Sequence, residues 1–487
     1  MGEKMNGRIE ELTDKGIYAV EEKEKKILVL AIGGGGGRVA ADLLKGSQHF
    51  RKLVNSIYFL NTNTRDLDEI FNEDIRELDG SLIKIIKENT DSDDNLQSHL
   101  IPVRKLWYGG IGAGGDFVRS RKMMLYWLFP KEYEQETLEA LTADQIGMQI
   151  EKKDIIIEDK SFEDKEKWVM DNMRTEIHEN DMILLIHSLG GGTGGGGTPV
   201  LARYINEEVE SSYFKDRIVV SLCFLADLHE EALTKANSVR NLMEISKYVD
   251  FILLFSNENL IKHVREHSEN IKKHGKAQFR QLNSQIINAV EILMTAMFEE
   301  RITKPLDFHD LKTFSLGLPT NVIIPFLAPE YMRGVLKVPC LDRALNFSMV
   351  PTCNGSIVKA LPILVSGKTG IQYIDTHPKQ MYEEIMSKKL MMDMKGYVGD
   401  VRGVLYDDGD DQLKVMILGF GLADLNPYLE YLDDAQYQWE AFFREAALDN
   451  PEHSAEKVIE EIQKWYREYT AKIESFIKNR KEGLNEN

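Results

Sequence analysis

The sequence has little cysteine and no long apolar run. Its 487 residues include only three cysteines, Cys223, Cys340 and Cys353, which are widely spaced and form no CxxC pair. This excludes a disulfide framework and is typical of a protein from a reducing compartment. No apolar stretch approaches the ~20 residues that a membrane-spanning helix needs, and the first residues lack the apolar core of a signal peptide. We therefore expect a cytoplasmic protein without a transmembrane segment.

The chain also has fewer positively than negatively charged residues. The chain has 60 Lys and Arg against 79 Asp and Glu, so its formal net charge is −19. This balance argues against nucleic acid as a partner, although backbone amides and a metal ion still allow one polyanionic ligand to bind. No cluster of His, Cys and carboxylates has the spacing of a metal site, so we predict no protein metal centre.

Five apolar runs alternate with segments of helical periodicity in the first half of the chain. Near-continuous apolar character of this kind is typical of buried parallel strands, so the pattern predicts an α/β fold. A long amphipathic helix is predicted from Lys276 to Arg301, and further strands after it predict a second α/β domain. The five runs are Lys25–Ile32, Ser56–Thr64, Asp181–Ser188, Arg217–Ala226 and Val249–Asn257, and the later strands are Thr320–Phe326, Ala360–Ser366 and Lys414–Gly421.

Glycine is concentrated in three loops. In "HSLGGGTGGGGTPVL", seven of the eight residues from Gly190 to Gly197 are glycine, directly after an apolar run. The other two loops are "GGGGG" (Gly33–Gly37) and "GGIGAGGD" (Gly109–Asp116). Ordering glycine costs conformational entropy, so such a run indicates that the backbone approaches something closely. Backbone amides at helix N-termini bind phosphate, and three loops of this kind can converge on one polyphosphate.

Two common nucleotide motifs fit less well. The spacing of Gly35, Gly37 and Ala40 matches the dinucleotide pattern GxGxxA, but the second strand ends in "LNTNT" instead of the acidic residue that contacts the ribose. The stretch "SGKTG" suggests a Walker A loop, but the first glycine of that motif would fall on Pro362. We discard the Walker loop and keep a nicotinamide-dependent oxidoreductase as a distant alternative.

The three loops resemble those of the tubulin/FtsZ superfamily, in the same order. "GGGTGGG" (Gly190–Gly196) is similar to the signature GGGTGTG, with Gly195 at the second threonine. "GGGGGR" resembles the first phosphate loop, with Arg38 where FtsZ usually has asparagine, and "GIGAGGD" (Gly110–Asp116) resembles the loop that faces the γ-phosphate. On these motifs the chain is identified as a member of that superfamily, with a Rossmann-like, parallel-sheet GTPase domain, a long central helix, a second α/β domain and a C-terminal helix.

The resemblance also supplies residues for the base and the ribose. Asn257, in "VDFILLFSNENL", falls where the family contacts guanine, and Phe279 and Asn283 fall where it stacks on and hydrogen-bonds the base. Glu230 keeps the acidic position that suits the ribose hydroxyls. An asparagine offers both a donor and an acceptor to guanine, and a phenylalanine ring offers a stacking face. The implied nucleotide-binding residues are Gly34, Gly35, Gly36, Gly37, Arg38, Asn63, Gly112, Ala113, Gly114, Gly115, Gly190, Gly191, Gly192, Thr193, Gly194, Gly195, Glu230, Asn257, Phe279 and Asn283.

An acidic loop follows the long helix. "DFHDLKT" (Asp307–Thr313) resembles the family's catalytic loop and places Asp307 and Asp310 at its two acidic positions. In that family the loop lies far from the subunit's own nucleotide and acts on the next subunit's γ-phosphate. A helix of about 26 residues at ~1.5 Å per residue spans ~39 Å, which is compatible with that separation. An isolated DxxD pair would instead suggest helix-capping carboxylates.

The resemblance therefore implies a cytoskeletal GTPase with GTP/GDP and Mg²⁺ as ligands. Its GTPase site would be completed by the next subunit, and such head-to-tail contacts generate an open homopolymer. The alternative is a non-polymerising nucleotide-binding regulatory homologue of the same fold. Departures from the family pattern leave the hydrolysis rate open: Thr234 stands near the position of a nucleotide-contacting arginine, Asn63 replaces an aspartate, and Pro305 replaces an asparagine.

The expected domain organisation follows from these assignments. We expect a charged N-terminal extension at 1–25, a nucleotide-binding domain at 26–275 with surface insertions at about 71–105 and 129–175, and the central helix with its catalytic loop at 276–310. A second domain at 311–445 and a C-terminal helical tail at 446–487 complete the chain.

The predicted tail carries an apolar stripe. Asn450 and Pro451 suggest the start of a helix, and its apolar residues recur with spacings of three and four. The stripe suggests either lateral or coiled-coil contacts between chains or packing on the body of the protein. Its residues are Ile459, Ile462, Tyr466, Tyr469, Ile473 and Phe476.

Overall fold

The computed structural model describes most of the chain between Ile27 and Asn485. The described residues are 27–75, 83–86, 101–107, 113–129, 173–211, 217–267, 276–298, 306, 308–328, 330–333, 336–339, 347–366, 397–398, 402–405, 413–445 and 454–485. The predicted N-terminal extension and most of the predicted insertion at 129–175 lie outside these ranges.

The chain folds around one 12-stranded, mostly parallel sheet. The strands are β1 (Ile27–Ile32), β2 (Val54–Asn61), β3 (Ile83–Ile86), β4 (Ile101–Trp107), β5 (Met182–Ser188), β6 (Ile218–Leu225), β7 (Phe251–Ser256), β8 (Val322–Leu327), β9 (Glu330–Arg333), β10 (Leu336–Pro339), β11 (Thr352–Ser366), β12 (Tyr397–Val398), β13 (Arg402–Leu405) and β14 (Leu413–Ala423). Their order across the sheet is β12-β11-β14-β8-β7-β6-β5-β1-β2-β4-β3, with β13 paired to β11. Strands β9 and β10 form a separate antiparallel pair. The predicted α/β fold with a Rossmann-like parallel sheet is confirmed.

Helices connect the strands and cover the sheet. They are α1 (Gly33–Gly46), α2 (Gln48–Leu53), α3 (Thr64–Glu69), α4 (Phe117–Leu128), α5 (Thr198–Ser211), α6 (Ala232–Ile245), α7 (Asn257–His267), α8 (Lys276–Phe298), α9 (Phe308–Ser315), α10 (Asn426–Leu429), α11 (Leu432–Glu445) and α12 (Ala455–Asn485). Two π-helical turns, Ile70–Ile75 and Thr193–Gly197, and a short helical segment at 173–179 add to these.

Both faces of the sheet are buried, which explains the near-continuous apolar runs. On β1, Leu28 and Leu30 belong to one core cluster, which also contains Trp439 of α11. Their neighbours Ile27 and Val29 belong to the cluster on the other face. Successive strand residues point to opposite faces of a sheet, so a strand covered on both sides needs an apolar residue at each position. The long helix α8 lies on the second of these faces.

Two regions differ from the expectations. The segment at 71–105, for which a surface insertion is expected, contributes strands β3 and β4 to the edge of the main sheet, where β4 pairs in parallel with β2. The main strands after α9 also continue this same sheet, because β8 pairs with β7 and β14 pairs with β8. The division of the chain into domains stays a prediction.

Helix α12 packs its apolar stripe on the body of the protein. Ile459 and Ile462 are buried in one core cluster and Ile473 in the other. The hydroxyl of Tyr469 donates to the carbonyl oxygen of Gly421 at 3.1 Å. The stripe is therefore used within the chain, so the coiled-coil contact expected as one possibility is not supported. Ser454 caps the helix by accepting a hydrogen bond from Lys457 N at 3.2 Å.

None of the helices in the described ranges is long and apolar enough to cross a membrane.

Candidate functional site

The glycine loops lie together at the carboxyl edge of the sheet. Helix α1 begins at Gly33, directly after β1 ends at Ile32. The Gly190–Gly197 loop follows β5, which pairs with β1, and Asn63 follows β2 on the other side of β1. The carboxyl ends of parallel strands in an α/β sheet form the crevice in which ligands bind.

Helix α1 passes directly over the end of β5, and two glycines permit this. A Cβ atom on Gly36 would lie 2.1 Å from the carbonyl oxygen of Ile186. Gly33 has a φ of 76°, a left-handed conformation that favours glycine. A Cβ there would lie 3.1 Å from the backbone nitrogen of Gly194. Glycine at these positions brings the first loop onto the third.

Close packing between protein segments also explains glycines of the third loop. A Cβ on Gly195 would lie 2.0 Å from Nδ2 of Asn241, and one on Gly196 would lie 2.1 Å from the carbonyl oxygen of Phe117. A Cβ on Gly192 would lie 2.8 Å from the backbone nitrogen of Asp116. Our reading of the loop as a surface for phosphate alone is thus incomplete, because much of its glycine lets the protein's own segments approach one another.

Gly191 and Gly114 differ from these positions. In the described part of the chain, a Cβ on either residue would have no heavy atom within 4 Å other than those of the adjoining residues. Gly114 and Gly115 have φ values of 55° and 90°. These two loops therefore carry glycine backbone beside open space, which a bound ligand can approach. Gly112, predicted for the same role, lies outside the described residues.

The predicted γ-phosphate loop ends in a capping aspartate. The side chain of Asp116 accepts a hydrogen bond from the backbone nitrogen of Arg119 at 2.9 Å and so caps helix α4. Burial raises the pKa of Asp116 to about 6. This carboxyl group therefore takes up a proton at a higher pH than an ordinary aspartate does.

Hydrogen bonds between side chains join the loops. The hydroxyls of Thr62 and Thr193 lie 2.6 Å apart, which links the end of β2 to the signature loop. Asn61 is buried, and its Nδ2 has no hydrogen-bond partner in the described part of the chain. Asn63 accepts a hydrogen bond from Arg65 N and caps α3. The carboxylate of Asp66 lies 3.4 Å from the position of a Cβ on Gly34.

The sequence analysis missed a supporting group on α6 and α11. Nδ2 of Asn237 donates to the carbonyl oxygens of Gly115 at 2.8 Å and of Gly190 at 3.3 Å, so one amide joins two loops. Nε1 of Trp439 donates to Oδ1 of the same asparagine at 2.9 Å. The run "ANSVRN" could have indicated this group, because it places polar residues on an otherwise apolar helix face and buried polar side chains need hydrogen-bond partners.

The predicted ribose and base residues meet at the ends of β6 and β7. Asn257, the first residue of α7, hydrogen-bonds the side chain of Glu230, whose pKa is raised by burial. Ligand atoms of Asp227, His229 and Glu258 lie within 4.8 Å of one another beside this pair. Sequence spacing did not indicate this group, because Glu258 lies in the first turn of α7, whereas Asp227 and His229 lie in the loop after β6.

The other predicted base residues lie on helix α8. Asn283 is 7% exposed, and its Nδ2 donates to Oδ2 of Asp42 on α1 at 2.6 Å. Phe279 lies one turn earlier on the same helix, and its side chain is outside the described residues. Arg38, one turn before Asp42 on α1, lies 3.5 Å from Oε2 of Glu69. Helices α1 and α8 thus bring the predicted base residues next to the first loop's helix.

The acidic loop is on the other side of the molecule. Asp310 is half-buried in the first turn of α9, while Asp307 lies outside the described residues. Nζ of Lys312, on the same helix, donates to the carbonyl oxygen of Arg217, which precedes β6. Helix α9 therefore lies at the amino edge of the sheet, opposite the glycine loops.

Comparison with known proteins finds similarity to one protein family. Residues 159–265 match the family model "Tubulin/FtsZ family, GTPase domain". The tubulin-like protein CetZ of Pyrococcus abyssi is 31% identical over 141 residues, which are 29% of this chain and 35% of that protein. The alignment thus spans about a third of that curated relative's length.

Solved structures show the same fold over most of the chain. The GDP-bound monomer of CetZ1 from Haloferax volcanii has a TM-score of 0.54 and 17% sequence identity, and the match covers 85% of this chain and 99% of that one. The GTPγS-bound protofilament of CetZ2 from the same organism has a TM-score of 0.53 and 17% identity, covering 84% and 99%.

Proposed function

We propose that the chain is a cytoskeletal GTPase of the tubulin/FtsZ superfamily that assembles head to tail into protofilaments; the match of residues 159–265 to that family's GTPase-domain model supports this. Each subunit binds GTP or GDP at the carboxyl edge of its sheet. The acidic loop of the next subunit then completes the GTPase site. The solved CetZ relatives, one bound to GDP and one a GTPγS-bound protofilament, support this proposal.

The observation that carries the proposal is the placement of Asp310 at the edge of the sheet opposite the glycine loops. Strand β6 has eight residues, and at ~3.3 Å per residue it separates the two edges by roughly 26 Å. A carboxylate at that distance cannot act on phosphates held by its own chain. It can act only on a nucleotide that another molecule presents, which requires a head-to-tail contact.

In this proposal the glycine loops hold the phosphates. Gly191 and Gly114 offer backbone beside open space, and the N-termini of α1 and α4 add the partial positive charge of helix dipoles. Glu230 accepts from the ribose hydroxyls, and Asn257 and Asn283 hydrogen-bond the guanine edge, with the Phe279 ring as the stacking face. We assign the other residues predicted to contact phosphate to this same binding site.

Hydrolysis needs a water molecule in line with the γ-phosphate. Asp307 and Asp310 of the neighbouring subunit would orient and polarise this water, while the backbone amides stabilise the charge that develops on the phosphate. The acidic pair makes no contribution to holding the nucleotide in its own subunit. Binding and turnover are therefore separable by mutation.

The residues around the first loop fit Mg²⁺. This ion is usually held by one or two carboxylates and by substrate phosphates. The carboxylate of Asp66, which lies beside Gly34, is a ligand of this kind. When bound, Mg²⁺ would neutralise charge on the phosphates. Asp66 would hold it on the protein side.

The alternative is a nucleotide-binding switch that does not polymerise. Thr234 carries no positive charge for a phosphate, which would weaken nucleotide contacts in either function. Sedimentation with GTP and with a slowly hydrolysed analogue separates the two functions. Pelleting with the analogue supports the filament, and a soluble protein that still binds GTP supports the switch.

Nucleotide preference tests the proposal more broadly. We expect GTP and GDP to bind at least tenfold more tightly than ATP, which isothermal titration calorimetry measures. Equal affinities for GTP and ATP would overturn the assignment of the base site. Retention of a nicotinamide cofactor by the purified protein would support the oxidoreductase alternative instead.

A further inference from the structure

The hydrogen bond between Asn283 and Asp42 fixes the orientation of the Asn283 side-chain amide. An asparagine side chain can turn over, so that its NH₂ group and its oxygen exchange places. The two ends are opposite in function, because one donates hydrogen bonds and the other accepts them. A site that distinguishes purines through an asparagine must therefore hold the amide in one orientation.

The partner of Asn283 leaves one orientation only. Oδ2 of Asp42 lies 2.6 Å from Nδ2 of Asn283. An ionised carboxylate has no hydrogen to donate, so the amide must present its NH₂ group to Asp42. The amide oxygen, Oδ1, then points away from Asp42 and remains an acceptor. At 7% exposure, Asn283 has little water nearby to compete for this contact.

Charges around Asp42 are arranged so that the carboxylate is available to Asn283. Oδ1 of Asp74 accepts from Nζ of Lys45 at 3.2 Å and from Nη2 of Arg280 at 3.3 Å. Both nearby cations are thus hydrogen-bonded to Asp74, whereas Asp42 accepts from the neutral amide. Burial and the charge of Asp74 raise the pKa of Asp42, and the bond from Asn283 opposes that change together with Lys45 and Arg280.

We propose that Asp42 is a positioning residue for base recognition, which holds the amide of Asn283 with its oxygen toward the guanine edge. The proposal rests on the proposed function, in which Asn283 contacts the base. An acceptor in that place fits the N1–H and N2 amino hydrogens of guanine, both of which are donors. Adenine presents an unprotonated N1 acceptor on its corresponding edge, and two acceptors repel each other.

The position of Asp42 along α1 is consistent with this role. Asp42 lies eight residues beyond Gly34, which at ~1.5 Å per residue places it roughly 12 Å from the glycine loop. This is far enough to contact a base without contacting the phosphates that the loop holds. Asp42 and Arg38 share one face of α1, because residues four apart are neighbours on a helix.

The wild-type protein provides a test that no folding defect can obscure. Inosine triphosphate lacks the N2 amino group of guanine, so it loses one of the two donors that the oriented oxygen accepts. We expect GTP to bind about fivefold more tightly than inosine triphosphate, from the ~1 kcal/mol of one hydrogen bond. Equal affinities for the two nucleotides would overturn the proposal.

The variant Asp42→Asn tests the orientation itself. An amide at position 42 both donates and accepts, so Asn283 is free to turn its NH₂ group toward the base. Xanthosine triphosphate carries an oxygen where guanine has its N2 amino group and therefore pairs with that NH₂ group. We expect the ratio of GTP affinity to xanthosine triphosphate affinity to fall at least tenfold, measured by competition against a fluorescent GTP.

Asp434→Asn is the control. Asp434 is an exposed carboxylate on α11, away from α1 and α8, so its replacement should leave the ratio unchanged. Equal weakening of both nucleotides by Asp42→Asn would mean a merely structural role for Asp42 and would contradict the proposal. If the wild type shows no preference for GTP over ATP, the proposed function itself fails. A wild type that prefers GTP, with an Asp42→Asn variant of unchanged ratio, rejects only the role of Asp42.

Discussion

The Nζ atom of Lys312 lies 3.0 Å from the carbonyl oxygen of Arg217, the residue before strand β6. The same ammonium lies 3.9 Å from Oδ1 of Asp250, which precedes strand β7. These two contacts hold helix α9 against the amino ends of two central strands. Asp310 lies two residues before Lys312 on that helix. The proposed catalytic acid is therefore fixed at the far edge of the sheet from the loops that would hold GTP.

Glycines in the first and third loops should differ in how much stability they lose on replacement by alanine. In Gly36→Ala the new Cβ would lie 2.1 Å from the backbone oxygen of Ile186, so main chain must move. We expect this change to lower the free energy of unfolding by about 3 kcal/mol or more. Gly191→Ala is the matched control, because its Cβ meets no atom within 4 Å, and it should cost less than about 1 kcal/mol. Thermal melting monitored by circular dichroism compares them, and equal losses would contradict the packing described for α1.

Asp116 should make stability depend on pH. Its pKa is raised from 3.8 to about 6, so the folded protein binds the proton more tightly than the unfolded chain does. The stabilisation from this proton is present below pH ~4 and is lost as pH rises through about 6. Asp116→Asn keeps a side-chain oxygen to cap α4 and cannot ionise. It should be more stable than wild type at pH 7, by about 1–3 kcal/mol, and the difference should vanish near pH 4.

Urea unfolding of both proteins between pH 4 and pH 7 measures this effect. A stability difference that stays constant over the range would show that the carboxyl group of Asp116 does not titrate there.

Trp439→Phe should weaken the contacts between the glycine loops, although Trp439 itself does not belong to these loops. The substitution keeps an aromatic ring against Phe117, whose ring centre lies 5.9 Å from that of the tryptophan. It removes the N–H that donates to Asn237 and leaves a buried oxygen without its partner, at a cost of about 1–3 kcal/mol. Because Asn237 joins the loops at Gly115 and Gly190, we expect faster nucleotide dissociation. Stopped-flow release of a fluorescent GTP measures the rate, with Trp465→Phe on α12 as a control that should leave it unchanged.

The sequence alone predicts the α/β fold and the order of the three glycine loops along the chain. Apolar strands that are buried on both faces leave a strong local pattern, and three glycine loops at strand ends are rarely accidental. The strands β3 and β4 were missed, since the polar stretch "ENTDSDDN" between them obscured two short apolar segments.

The sequence pattern could not predict contacts between distant parts of the chain. Asn237 and Trp439 are 202 residues apart, and Asp42 and Asn283 are 241 residues apart. Nothing local in either segment indicates its partner, because the partner is set by which helices the sheet brings together. The sequence likewise predicts that the Gly190–Gly197 run binds phosphate. Much of this run instead permits close contacts within the protein, which become visible only when the loops are assembled.

Replacing Asp310 tests whether binding and hydrolysis are separate. In Asp310→Ala we expect GTP affinity to stay within about twofold of wild type, because the residue lies at the opposite edge from the loops. Turnover should fall by a factor on the order of 10² or more, from the loss of a group that orients water. Asp434→Ala, an exposed carboxylate on α11, is the control and should change neither quantity. Loss of GTP binding in Asp310→Ala would place the acid in its own subunit's site.

The most direct test of a shared site mixes two inactive proteins. Asp310→Ala binds GTP but lacks the acid, while Gly191→Asp keeps the acid and introduces negative charge into the open space of the phosphate loop. Neither protein alone should hydrolyse GTP at more than about 1% of the wild-type rate. If the acid of one subunit serves the nucleotide of the next, phosphate release should recover on mixing and should rise steeply with total protein concentration. A mixture that stays as inactive as its separate components, with both proteins folded, would contradict the account.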